Sequence, residues 1–286
     1  MLDATVPVVE YSRYSNRQLA AVPLALLALS LLVIAGMWVT TGTPVDPGID
    51  FTGGTELQIQ TDAPQGEIET AFETEPESVQ SIATGDGEYI VTFQSTDTGA
   101  IEQQATEAGF TVISISSTSA SFGAETQFQA VVGVAIAFAG MSALVALMFR
   151  TFVPSIAVVL SAFSDIVIPV ALMNLFGIQL SLGTVAALLM LIGYSVDSDL
   201  LLNNHVLRRR GDFYESTHRA MRTGVTMTVT SILAMLVMTS VATLFAIPLL
   251  PAIGLVLVFG LLADLMNTYL LNVSLLRWYK YEGVAR

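Results

Sequence analysis

Six stretches of this chain are apolar over lengths that cross a lipid bilayer: residues 18–41, 128–149, 153–176, 180–207, 225–247 and 249–278. A helix needs about 20 such residues to span the hydrocarbon core, where every backbone polar group must find its partner within the segment. That requirement leaves an α-helical polytopic membrane bundle as the architecture for most of the chain. Composition agrees, since only 12% of the residues are charged, against about 25% in an average soluble protein. The first run is longer than the about 7–15-residue core of a signal peptide, and a strand-like motif follows it at once, so we read it as a retained anchor.

Charge orients the bundle. Fifteen of the 24 acidic residues fall between Gly42 and Gln127, a segment without a single Lys or Arg. The 11 basic residues all lie elsewhere, including Arg13, Arg17, Arg150, Arg208, Arg209, Arg210 and Arg277. With the N-terminus inside, every one of them falls on the cytoplasmic side, as the bias of cytoplasmic loops toward Lys and Arg requires. Residues 1–17 and 279–286 are then cytoplasmic ends, and residues 208–224 a basic cytoplasmic loop that contacts lipid headgroups or a partner. An acidic, Lys-free surface suits concentrated salt, where screening removes self-repulsion. A halophilic source is expected; an ordinary acidic extracellular domain is the plainer alternative.

Residues 42–127 form the soluble domain. Residues 55–61 (T-E-L-Q-I-Q-T) alternate polar and apolar as a half-buried strand does. A short helix is expected over 64–74, with Pro64 suited to its start. Strands are expected over 79–83 and 88–94, joined by a hairpin turn at Gly85, Asp86 and Gly87. A helix over 97–108 stops at Gly109, and a last strand follows over 111–119. The order β-α-β-β-α-β is the ferredoxin-like arrangement.

Four acids lie inside the apolar runs: Asp165, Asp197, Asp199 and Asp264. Carboxylates within hydrocarbon are costly and mark functional sites by default. No Lys or Arg of the chain lies at their depth, so at least some are expected to be protonated or bound to a monovalent cation, as a proton- or sodium-coupled transporter requires. The alternative is structural glue between helices. Asp197 and Asp199 stand about 200° apart around a helix and cannot share a face. Tyr194, Asp197 and Asn204 fall on one stripe, Asp199 and Asn203 on another. We expect Asp197 to be the coupling acid and Asp199 a helper or partner-facing group. The run of hydroxyls that includes Thr228 either bonds to its own helix or lines a polar path beside the acids.

Other chemistry finds little support. There is no cysteine, and His205 and His218 belong to no metal-binding pattern. No nucleotide-binding G-x-x-x-x-G-K-[ST] motif occurs. No catalytic residue, metal site, organic cofactor or nucleic-acid partner is expected.

Directly after the first span come Asp50, Phe51, Gly53 and Gly54, where two glycines permit a tight turn into the first strand. This D-F-x-G-G resembles the signature shared by the SecD and SecF protein-export subunits. Residues 192–199 (I-G-Y-S-V-D-S-D) resemble the fourth-span motif of SecF, and residues 164–166 (S-D-I) the acidic position of its third span. Six spans with one ferredoxin-like external domain match the SecF pattern over nearly the whole chain, whereas SecD has a larger external domain. The resemblance implies half of an RND-type unit that pairs with SecD. That unit would serve the Sec translocon channel and the exported or inserting polypeptide from within membrane lipid, driven by H+ or Na+. It places the fourth-span acid at Asp197, with Asp199 the alternative, and Asp264 in an archaeal-looking sixth span. Two other readings are an independent RND-like exporter of small molecules or lipids, and an intramembrane aspartyl protease. The latter lacks the expected G-x-G-D.

Overall fold

The computed structural model describes residues 9–82, 87–208, 212–245, 247 and 249–283. Six of its helices are long and apolar enough to cross a membrane. The first, α1 (Asn16–Thr41), opens on a capping box in which Ser15 and Gln18 each satisfy the other's backbone N–H. It closes at Gly42 in the left-handed conformation. A single helical turn, α2 (Ile49–Thr52), then delivers the chain to the external domain.

That domain runs β1 (Gly54–Gln60), α3 (Gln65–Thr70), β2 (Ser78–Ser81), β3 (Glu88–Phe93), α4 (Thr98–Glu107) and β4 (Thr111–Thr118). The strands lie in the order β2-β3-β1-β4, all neighbours antiparallel, which is the ferredoxin-like arrangement. Leu57, Ile59, Val91 and Phe93 from the sheet meet Ile68, Ile101 and Ala105 from the two helices in one closed core. Of the expected hairpin turn, Gly85 and Asp86 lie outside the described residues.

The remaining spans are α5 (Ala120–Phe149), α6 (Phe152–Phe176), α7 (Leu182–Arg208), α8 (Phe213–Leu244) and α9 (Leu250–Met266). The last continues through a π-helical segment (Asn267–Asn272) into α10 (Val273–Trp278). Two bounds differ from the hydropathy reading. Ser119 caps α5, which therefore starts at Ala120 and not at 128, because its first two turns are polar enough to pass for domain. The expected basic loop over 208–224 is helical from Phe213 onward. There Asp212 accepts the Tyr214 N–H, and Glu215, His218 and Arg219 make three helical turns look like loop. Arg209 and Arg210 lie outside the described residues.

The helices are not equivalent. About half or more of α6, α7 and the α9 span is buried inside the bundle, but only 6% of α5 and 11% of α8. Gly260 permits the close approach of α9 to α7, since a Cβ there would stand 2.2 Å from the Leu191 side chain.

Candidate functional site: a chain of buried carboxylates

The three innermost helices each carry one acid to the centre. Asp165 on α6, Asp199 on α7 and Asp264 on α9 are 1%, 0% and 2% exposed. The stripe of α7 that faces α6 and α9 contains Leu188, Leu191, Ser195, Asp199, Leu202 and Val206, spaced three or four residues apart and all buried. Asp199 falls on that stripe, and so do Ser195 and Asn203.

Neutral donors hold each acid, and Thr268 links two of them, Asp199 and Asp264. Ser195 donates to Asp165 Oδ2 at 2.6 Å, and Asn267 donates to Asp165 Oδ1 at 2.6 Å. The Ser198 hydroxyl lies 2.5 Å from Asp264 Oδ1 and 3.2 Å from the Thr268 hydroxyl. Thr268 lies 2.9 Å from Asp199 Oδ1 and 3.2 Å from Asp264 Oδ1, and Asn272 donates to Asp199 Oδ1 at 2.7 Å. Each hydroxyl has one proton, so Ser198 and Thr268 choose between acceptors rather than serve them all.

The π-helical segment makes this reach possible. In a regular helix Asn272 would stand about 80° around the axis from Asp264. The wider i→i+5 turns of Asn267–Asn272 bring Asn267, Thr268 and Asn272 together onto the acid-facing side.

Among the described residues, the hydrogen-bond partners of all three acids are hydroxyls and amides, with no cation beside them. Ion pairs occur at the surface instead, between Arg13 and Glu10 and between Arg219 and Glu215. Further buried polar atoms around the acids have no protein hydrogen-bond partner: Ser164 Oγ and both side-chain amide atoms of Asn203. Among the described residues no three His, Asp or Glu side chains converge as metal ligands.

Apolar layers close both ends. Toward the external domain lie Leu188, Leu191, Val256, Leu257 and Leu261; toward the opposite side lie Tyr11, Leu202, Val206, Met221, Tyr269 and Leu276. Tyr11 belongs to the segment before α1. It donates to the Tyr269 carbonyl at 3.0 Å, and burial raises its hydroxyl well above the ordinary phenol range.

The other expected residues stand elsewhere. Asp197 is exposed on the outward face of α7, with Asn204 and Tyr194 on the same face, so it does not join the acid chain. The two stripes expected from the sequence are distinct, and it is the stripe of Asp199 and Asn203, not that of Asp197, that is buried. Tyr194 instead shares a hydrogen bond of 3.0 Å with Ser231 on α8. Thr228 is buried in α8, while its neighbours Thr226 and Thr230 bond to carbonyls of their own helix. Ser195, Ser198, Asn267, Thr268 and Asn272 were not singled out. The signal was present in the i, i+3, i+4 and i+8 spacing of Asp264, Asn267, Thr268 and Asn272.

Asp50, Phe51, Gly53 and Gly54 lie at the junction of domain and bundle. Gly53 (φ 81°) touches Ala120 so closely that a Cβ would stand 2.6 Å from its nitrogen. Phe51 packs its backbone against Gly123 of α5, and Asp50 reaches α7.

Residues 99–282 match the family described as protein export membrane protein SecD/SecF, C-terminal, and residues 38–65 match the SecD/SecF GG motif. The chain is 73% identical to the protein-export membrane protein SecF of Haloferax volcanii and 66% identical to that of Haloquadratum walsbyi, over 100% of both chains in each case. It is 40% identical to SecF of Methanocaldococcus jannaschii, over 93% of this chain and 96% of that one. The crystal structure of SecDF, a translocon-associated membrane protein from Thermus thermophilus, superposes with a TM-score of 0.73 at 20% identity. The match covers 98% of this chain and 39% of that one, and it shares the fold. The acidic external domain accords with the haloarchaeal source of the two most similar of these relatives.

Proposed function

Because this chain belongs to the SecF family of protein-export membrane proteins, we propose that it is an accessory subunit of the Sec translocase whose buried carboxylate chain couples export to an ion gradient. The observation that carries the coupling is that Asp165, Asp199 and Asp264 lie buried on the three innermost helices with only neutral donors as partners, Asp199 and Asp264 sharing Thr268. Three carboxylates held this close and this dry cannot all stay ionised without compensation. Protons fit the arrangement better than a metal ion, because Thr268 can accept from one acid while donating to the next. The Asn203 amide, without a protein partner, is the point at which water would enter the relay.

In this reading the chain works beside SecD in the cytoplasmic membrane, with both ends inside and the ferredoxin-like domain outside, near the translocon channel and the emerging polypeptide. The exposed stripe Tyr194, Asp197 and Asn204 supports a membrane partner on that face of α7, since a carboxylate facing lipid needs a polar neighbour. The apolar layers on either side of the acids would open in turn, so that the relay meets one compartment at a time. Gradient-driven export in vesicles carrying the complex tests the proposal. Asp199→Asn is expected to stop the gradient-dependent part while the complex still assembles. Undiminished export in that variant would refute the coupling.

A further inference from the structure

The GG-motif junction touches the acid-bearing helix at a second place. The Asp50 carboxylate accepts the Leu182 N–H at 3.0 Å. Leu182 is the first residue of α7, where backbone donors have no partner within the helix and a negative charge is favoured. Around this contact the chain between α1 and α2 pairs with the α6–α7 connection like two short strands. Gly48 N–H donates to the Leu180 carbonyl at 2.8 Å, and Leu180 N–H donates to the Asp46 carbonyl at 2.7 Å. The Gln179 side chain adds hydrogen bonds to Glu77 of the domain and to Asp46. Val45 is buried against Met173, Ala187 and Leu188.

We infer that Asp50 is a positioning residue for the acid relay: by capping the outer end of α7, it docks the external domain on that helix so that the two move as one body. On the other side of the motif, Gly53 and Gly123 hold the domain against α5 with no room for a Cβ. The domain is thus clamped to α7, which carries Ser195, Ser198 and Asp199. A shift of α7 as the relay changes its protonation is delivered directly to the domain at the outer face. The inference rests on the coupling reading for its activity readout alone.

The chain contains no cysteine, which allows a clean cross-link. A Cβ built on Gly48 stands 3.5 Å from Gln179 Cβ, within the range of about 3.5–4.5 Å that disulfides require. In the full-length Gly48→Cys/Gln179→Cys variant within its native membrane complex, oxidation is expected to give a disulfide in high yield and to leave export unchanged. Failure to cross-link, or a block of export that reductant reverses, would overturn the inference, because the domain would then have to sit apart from α7 or leave it. Adding Asp50→Ala to the reduced pair is expected to lower the cross-linking rate by about tenfold, the scale of a lost hydrogen bond to a charged group. Asp50→Asn, which keeps an acceptor oxygen, should largely restore it. Export should fall with Asp50→Ala at an unchanged yield of folded complex, measured by co-purification, and recover when the disulfide is closed; a folding defect would lower that yield instead. Normal export and cross-linking in Asp50→Ala, or a loss the disulfide does not repair, would count against the assignment. The cross-linking results stand apart from the relay: if Asp199→Asn left export intact, the coupling reading would fail while the docking of α7 was still being measured.

Discussion

The Thr268 hydroxyl lies 2.9 Å from Asp199 Oδ1, across 69 positions of sequence, and 3.2 Å from Asp264 on its own helix. One proton cannot serve both carboxylates at once, so the hydroxyl donates to one of them at a time. The shared hydroxyl joins the central helix α7 to the span that α9 begins.

Thr268→Val removes the hydroxyl at nearly constant volume. Gradient-driven ion flux is expected to fall by about a hundredfold, the lower range for loss of a positioned proton-transfer group. The unmade hydrogen bond should cost only about 1–3 kcal/mol of stability. Thr268→Ser should retain most of the flux. Vesicle flux measurements check this, and wild-type flux in the valine variant would exclude Thr268 from the path.

The two neighbouring acids of α7 should separate cleanly. Asp199→Asn is expected to abolish coupling and leave the complex intact. Asp197→Asn should leave the relay working but weaken retention of the membrane partner, because Asp197 faces outward. Co-purification and ion flux, measured side by side, distinguish them. The same defect in both variants would contradict the assignment.

The domain junction has no slack. A Cβ at Gly123 would stand 2.5 Å from the Phe51 carbonyl oxygen, which is backbone and cannot swing aside. Gly123→Ala is expected to destabilise the protein by about 1–3 kcal/mol, as overpacking does. Gly133→Ala, with nothing within 4 Å, should be neutral or slightly stabilising. Thermal unfolding in detergent compares the two.

Glu56 on β1 gives a pH signature. Burial, and then the nearby Asp50 carboxylate, raise its carboxyl above the ordinary range. Folding therefore favours the protonated form. Its contribution is fully present below the unfolded value of about 4.3 and is lost as pH rises through the higher folded value. Glu56→Gln should match the parent in acid and be the more stable of the two at neutral pH. Limited proteolysis of the external domain in denaturant, at both pH values, measures the difference.

Much of this was legible in the residues. The β-α-β-β-α-β domain followed from alternation, because its strands have one wet face and one dry one; Leu57 and Ile59 point inward and Glu56 and Gln58 do not. The start of α8 was misplaced because Arg219 and Arg222 read as loop, although Asp212 supplies a helix cap in plain sight. Which of Asp197 and Asp199 is buried was not legible, for a deeper reason. In water, apolar periodicity marks the buried face of a helix, but in lipid both faces are apolar. Leu189 and Met190 on the outside of α7 look like Leu188 and Leu191 on the inside.

The sequence by itself determined that the chain crosses the membrane six times, that it carries a ferredoxin-like domain between the first two spans, and that acids lie within the spans. Those follow from hydrogen-bonding needs and hydropathy, which are local. Only the tertiary structure decided which acids meet, that a π-helical turn carries Asn267, Thr268 and Asn272 to them, and that Asp50 reaches across to cap α7. These depend on how helices rotate against one another, and where the solvent is as apolar as the core, residue type alone does not fix that rotation.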